Sequence, residues 1–181
     1  MMGEEKGPEF YIGKSSIKNS DKYRPLYVRV VDMLDEIGVD SRIIEMGCGI
    51  GTFAGMLHSN NHRNYIGFDF SPDMIMIAKE NHGNQIFMQY DLRDESIQKF
   101  YFGCSWFICL EVLEHIEDDF LVLSYLPKGA NIIFSLPVFN AKAHVRWFKR
   151  QEEIYDRYSS VIRIEECQFV RKWFLCKGIK I

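Results

Sequence analysis

Along residues 42–136 the chain alternates short runs rich in Val, Ile and Phe with stretches of helical composition. This alternation limits the possible folds more than any other feature. Continuous apolar runs at about 42–46, 65–69, 86–90, 106–110 and 131–136 read as strands buried on both faces. Helices are expected between them: over 52–59, from Pro72 with Ser71 as N-cap, and over about 117–126 with Gly129 near its end. A repeated strand–helix pattern builds a parallel sheet covered on both sides. Ahead of it, Ser20 can cap a helix running to about residue 37. Tyr23, Tyr27, Val30, Val31 and Leu34 form its apolar stripe, and Gly38 stops it. The last 40 residues change character. A helix over about 149–159 leads into strand-like runs at 161–170 and 173–181, whose short turn pairs them antiparallel.

With 181 residues, 47% hydrophobic and 26% charged, the chain suits one soluble domain, expected over 21–181. Residues 1–20 are polar and read as a flexible segment or lid. No run approaches the roughly 18 apolar residues of a membrane span, and the first residues lack an apolar signal core. Five cysteines, odd in number and without C-x-x-C spacing, read as reduced thiols, which points to a cytoplasmic protein without a membrane partner. A net charge of −3 argues against a general nucleic-acid partner. The charge is uneven, because residues 141–181 carry 10 Lys/Arg against 5 Asp/Glu. Either that tail is a solvated face or it attracts an anionic small-molecule substrate. No oligomeric state follows from the pattern.

Between the first two strands lies Glu45-Met46-Gly47-Cys48-Gly49-Ile50-Gly51-Thr52, and the second strand ends in Asp69. Glycine at every second position lets backbone approach a ligand where a Cβ would clash. An acid at the next strand end is placed to hold the hydroxyls of a ribose. Together these features call for a nucleoside ligand. The spacing excludes the dinucleotide fingerprint G-x-G-x-x-G/A, since Thr52 stands where the third small residue belongs, and no Gly-Lys-Ser/Thr marks a phosphate loop.

The segment resembles motif I of class I S-adenosylmethionine-dependent methyltransferases, written acid-x-Gly-x-Gly-x-Gly. The resemblance extends to type 11/12-like small-molecule methyltransferases and covers nearly the whole chain after residue 20. It implies a Rossmann-like sheet of seven strands, mostly parallel, with helices on both faces and an antiparallel C-terminal hairpin. It also implies S-adenosyl-L-methionine as cofactor, held by Glu45, Gly47, Cys48, Gly49, Gly51, Asp69, Phe70, Met74, Asp91, Leu92, Leu110 and Glu111. Glu45 would orient the loop and the cofactor's amino group, and Asp69 would take the ribose hydroxyls. Asp91 and the Leu92 backbone would read the adenine, with Phe70 and Met74 packed against it. Met74 reads equally well as plain core.

Two further motifs bear on the acceptor. Cys109-Leu110-Glu111-Val112-Leu113-Glu114-His115-Ile116 is similar to the segment after strand four in ubiquinone-biosynthesis O-methyltransferases and small-RNA 2′-O-methyltransferases. There the two acids and the histidine can bind a divalent metal. The same letters occur in metal-free relatives, where the histidine lines the pocket or acts as a base. After Pro137, a loop carries His144-Val145-Arg146-Trp147-Phe148 and resembles a His-x-Arg-x-Phe element beside the acceptor site. Catalysis is therefore expected from His115, His144 and Glu114, and substrate binding from Tyr23, His144 and Arg146. The preferred reading has no metal, with His115 as base. Its alternative is a metal held by Glu111, Glu114, His115 and His144. Arg146 either pairs with an anionic substrate group or ties its loop to Glu152 or Glu153. These residues imply methyl transfer to oxygen or nitrogen of a small molecule. The alternatives are a metal-dependent RNA 2′-O-methyltransferase and a non-catalytic, cofactor-binding regulatory subunit.

Overall fold

The computed structural model describes residues 3–11, 21–34 and 37–181. The expected cap at Ser20 lies outside these residues. The helix it was to open is described as a 3₁₀ turn at Asp21–Tyr23 continuing into α1, Arg24–Leu34.

Seven strands form one sheet: β1 Ile43–Met46, β2 Tyr65–Asp69, β3 Ile86–Gln89, β4 Trp106–Cys109, β5 Asn131–Pro137, β6 Ile162–Val170 and β7 Trp173–Lys180. Their spatial order is β3-β2-β1-β4-β5-β7-β6. The first five are mutually parallel, while β7 runs antiparallel to both β5 and β6. Among the described residues four helices accompany α1: α2 Thr52–Ser59, α3 Pro72–Asn81, α4 Asp119–Ser124 and α5 Gln151–Tyr158.

Successive side chains of a strand point to opposite faces, so each buried run feeds two cores. Ile43, Tyr65, Ile108 and Ile133 pack with Leu26, Phe53 and Ile75 from α1, α2 and α3. Their neighbours Ile44, Ile66, Phe107 and Ile132 pack with Val122, Ile154 and Tyr158 from α4 and α5. Ser71 accepts from the Met74 amide as the N-cap of α3, with Pro72 in the first turn, as its sequence predicts.

The expected fold holds, with departures at the ends of elements. The helix expected over 117–126 is confined to α4 because the Asp118 carboxylate caps it by accepting from the Leu121 amide. Two 3₁₀ segments, Glu95–Phe100 and Leu113–His115, have too few turns for a periodic signal. Among the described residues no helix is long and apolar enough to cross a membrane.

The strand order reverses between β1 and β4. In open α/β sheets, ligands bind beyond the carboxyl ends of the strands at such a switch point. The candidate site sits there.

Candidate active site

The loop after β1 is built around absent side chains. Gly47 has φ +79°, and a Cβ on it would lie 2.3 Å from Val112 Cγ2. The amides of Gly47 and Cys48 both donate to the Phe68 carbonyl at 2.8 Å, which turns the chain sharply out of β1. Asp69, at the end of β2, then clamps the loop: Oδ2 accepts from the Gly49 amide and Oδ1 from the Ser71 amide, each at 2.9 Å. Burial pushes the Asp69 carboxyl up, and these amides oppose the shift.

Beneath the loop lies Glu45, 4% exposed, its carboxyl pushed up to about 8 by burial. Tyr65 donates a short hydrogen bond to Glu45 Oε2. Gly67 pairs with Glu45 across β1 and β2, and a Cβ at Gly67 would come within 2.5 Å of the Tyr65 hydroxyl oxygen. Glycine there keeps the path of this hydrogen bond clear.

These groups open onto a cavity of about 330 Å³. Of the residues expected to hold the cofactor, Glu45, Gly47, Cys48, Gly49, Asp69, Phe70, Met74, Asp91, Leu92, Leu110 and Glu111 all line it. Gly51 does not; it stands at the N-cap of α2. Asp91 is held in a two-point fork by Arg93, Nε to Oδ1 at 3.0 Å and Nη2 to Oδ2 at 2.7 Å, which lowers its carboxyl below the ordinary value.

On the other side of the cavity, Glu111 leaves β4 with φ +57°, a conformation that costs a non-glycine residue energy and is held by its surroundings. Its amide donates to Ser135 Oγ at 2.9 Å, and the same hydroxyl donates to Glu111 Oε1 at 3.4 Å. His115 lines the cavity beside Tyr11, Tyr23 and Lys22. Its Nδ1 meets the Ala143 carbonyl at 2.9 Å, so Nδ1 carries the proton and Nε2 keeps its lone pair. Burial lowers its pKa to about 4, leaving the ring neutral.

Behind His115 stand Glu114 and His144. Glu114 is fully buried, neither carboxyl oxygen has a hydrogen-bond partner, and its carboxyl is pushed far up. The His144 ring packs edge-on to His115 with centroids 4.9 Å apart, and its Nδ1 donates to the Phe139 carbonyl at 3.1 Å. One ligand-type atom from each of Glu114, His115 and His144 lies within 4.8 Å of the others. Glu111 is not in this group, which shortens the four-residue set expected from sequence. A neutral imidazole with a free Nε2, a second like it and a buried carboxyl lacking partners suit a divalent cation.

Of the expected substrate contacts Tyr23 lines the cavity and His144 and Arg146 do not, and Arg146 has other work to do. Nη1 donates to the carbonyls of Leu113 and, at 2.5 Å, Ile116, and Nη2 to that of Glu117 at 2.8 Å. Asp119, fully buried, lies 3.3 Å from Nη1. Arg146 therefore binds the turn carrying Glu114 and His115 to the loop carrying His144. It does not line the cavity, and its acidic partner is neither Glu152 nor Glu153. The other basic residues of 141–181 are also absent from the lining, where the cations are Lys6, Lys22 and Arg93.

Sequence reading missed Tyr65, Tyr11, Lys22, Arg93 and Ser135. Only Arg93 had a local signal, two residues after Asp91. The described N-terminal stretch crosses the site: the Gly3 amide donates to the His144 carbonyl at 2.8 Å, and Glu5 accepts from Arg93 and, at 2.7 Å, from the Glu117 amide. Tyr11 contacts Phe70 and His115 with ring centroids 5.7 and 6.3 Å apart.

Residues 43–124 match the family model for a methyltransferase domain. Three solved structures share the fold. The PH0226 protein of Pyrococcus horikoshii OT3 is 17% identical, with TM-score 0.73 over 94% of this chain and 95% of that one. Magnesium protoporphyrin IX methyltransferase of Synechocystis PCC 6803, solved with bound S-adenosylhomocysteine, is 18% identical, with TM-score 0.66 over 96% and 92%. The methyltransferase domain of bacterial CtHen1-C is 17% identical, with TM-score 0.66 over 86% and 97%. At these identities the likeness is one of fold. No curated protein matches by sequence. Residues 43–124 therefore fit a methyltransferase domain, and the fold is the one these solved structures share.

Proposed function

We propose that this chain transfers the methyl group of S-adenosylmethionine to a nitrogen or oxygen of a small-molecule acceptor. One observation carries the reading: the Asp69-clamped glycine loop and His115 face the same cavity. Glu45 is positioned for a cofactor amino group, Asp69 for ribose hydroxyls, and Asp91 with the Leu92 backbone for adenine. Phe70 and Met74 would flank the adenine. When bound, the cofactor supplies an electrophilic methyl on a sulfonium, so the protein's task is placement. Tyr11, Tyr23, Lys22 and His115 line the acceptor side. Segment 3–11 acts as a lid that keeps water from it. A base with a pKa of about 4 removes a hydroxyl proton poorly at neutral pH. His115 therefore suits an acceptor nitrogen with a free lone pair, which it orients through Nε2. Screening pooled metabolites for methyl incorporation from labelled cofactor tests this reading; a protein that binds the cofactor and labels no small molecule contradicts it.

A second reading rests on the unpartnered Glu114 carboxyl. Glu114, His115 and His144 would hold a divalent cation, whose charge would polarise an acceptor oxygen and extend the reaction to hydroxyls. Mn²⁺ titration followed by electron paramagnetic resonance decides it. Uptake lost in Glu114→Gln supports the cation, and no uptake by the native protein removes it.

A further inference from the structure

Away from the cavity, two of the five cysteines face each other across the terminal hairpin. Cys167 of β6 is directly opposite Cys176 of β7, with their sulfurs 2.7 Å apart. The two-residue turn Arg171-Lys172 closes on the pair Val170 and Trp173. A two-residue turn closes on a hydrogen-bonded pair, and the two kinds of pair alternate along an antiparallel ladder. Three steps back, Cys167 and Cys176 therefore form a non-hydrogen-bonded pair. Cα atoms in such pairs are about 4.5 Å apart, inside the range that a disulfide spans. The bulge in β6 falls at Ile164 and Glu166, on the far side of Cys167 from the turn.

Access is asymmetric. β6 is the edge strand and Cys167 is half-buried, whereas Cys176 is fully buried behind it. The other three thiols are buried, and Cys48 and Cys104 sit against backbone carbonyls.

We propose that Cys167 and Cys176 form a thiol-exchange site for small disulfides of the glutathione type, closing into a cross-strand disulfide. The Cys167 thiolate attacks one sulfur of the small disulfide, forming a mixed disulfide and releasing one thiolate. The Cys176 thiolate then attacks the Cys167 sulfur and displaces the second. The two protein thiols are oxidised, the small disulfide is reduced to two thiols, and these take up the two protons. The Cys176 thiol, donating to Cys167, lowers the Cys167 pKa from its ordinary value, and Cys176 is raised in turn. The half-buried sulfur is thus the attacking one and the buried sulfur the resolving one.

The experiment uses the full chain in buffers of reduced and oxidised glutathione, followed by denaturation, alkylation with N-ethylmaleimide and mass mapping. Two of the five cysteines should escape alkylation, joined in one peptide pair containing Cys167 and Cys176 and freed by dithiothreitol. Cys176→Ser should instead stall as a glutathione adduct on Cys167, and Cys167→Ser should keep every remaining thiol alkylatable. Five alkylatable cysteines in the oxidised wild type, a bridge involving another cysteine, or a bridge between two chains would overturn the proposal. The wild-type map decides even if a serine variant fails to fold.

Discussion

Tyr65 donates its hydroxyl proton to Glu45 through space that Gly67 leaves open, which joins the floor of the cavity to the second strand. Burial pushes the Glu45 carboxyl from 4.5 up to about 8. The folded protein therefore holds a proton that the unfolded chain releases. Its contribution to stability is fully present below about 4.5 and is lost as pH rises through about 8. Denaturant titrations of the ligand-free wild type and Glu45→Gln across that window measure it. The wild type should lose stability relative to the variant as pH rises; equal slopes would contradict the assignment.

Gly47 and Gly49 should fail in different ways when changed to alanine. At Gly47 an added Cβ meets Val112 at 2.3 Å, so Gly47→Ala should lower the unfolding midpoint sharply. At Gly49, φ is +51° and nothing lies within 4 Å of an added Cβ, so folding should lose only about 1–2 kcal/mol of left-handed backbone strain. Yet Gly49 lines the cavity, so Gly49→Ala should weaken S-adenosylhomocysteine binding at least tenfold. Thermal melts with calorimetry check both. A Gly49→Ala protein that binds as the wild type does would move the ligand away from this loop.

Arg146 should prove a brace and not a substrate contact. Arg146→Ala strips partners from the carbonyls of Leu113, Ile116 and Glu117 and removes one cation from buried Asp119. Arg157 and Tyr158 still reach that carboxylate, at 2.6 Å each. The expected cost is about 3 kcal/mol, as for removing one partner of a buried ion pair, read from urea unfolding. Affinity for S-adenosylhomocysteine should stay unchanged. A stable variant would return Arg146 to the acceptor site.

The strands and the glycine loop were legible in sequence because their signals are local. An apolar run, an Asp at its end and a Ser-Pro helix start need no knowledge of the rest of the chain. What escaped depends on distance along it. Glu5 reaches the Glu117 amide across 112 residues, and Arg146 caps a turn some 30 residues earlier. Neither leaves a periodic trace. Glu114 was legible as a candidate, but its full burial beside Glu111 was not. The chain leaves β4 through Glu111, at φ +57°, and enters the 3₁₀ turn that carries Glu114, so helical spacing does not apply there.

The Asp69-clamped loop should bind the nucleoside end of S-adenosylmethionine. Titration calorimetry of S-adenosylhomocysteine into wild type and Asp69→Ala tests it most directly. The wild type should bind S-adenosylhomocysteine and not NAD. Asp69→Ala should lose about 1.5–3 kcal/mol, the worth of charge-assisted hydrogen bonds, or roughly 10- to 150-fold in affinity. Binding of NAD without S-adenosylhomocysteine, or equal affinity in the variant, would contradict the account.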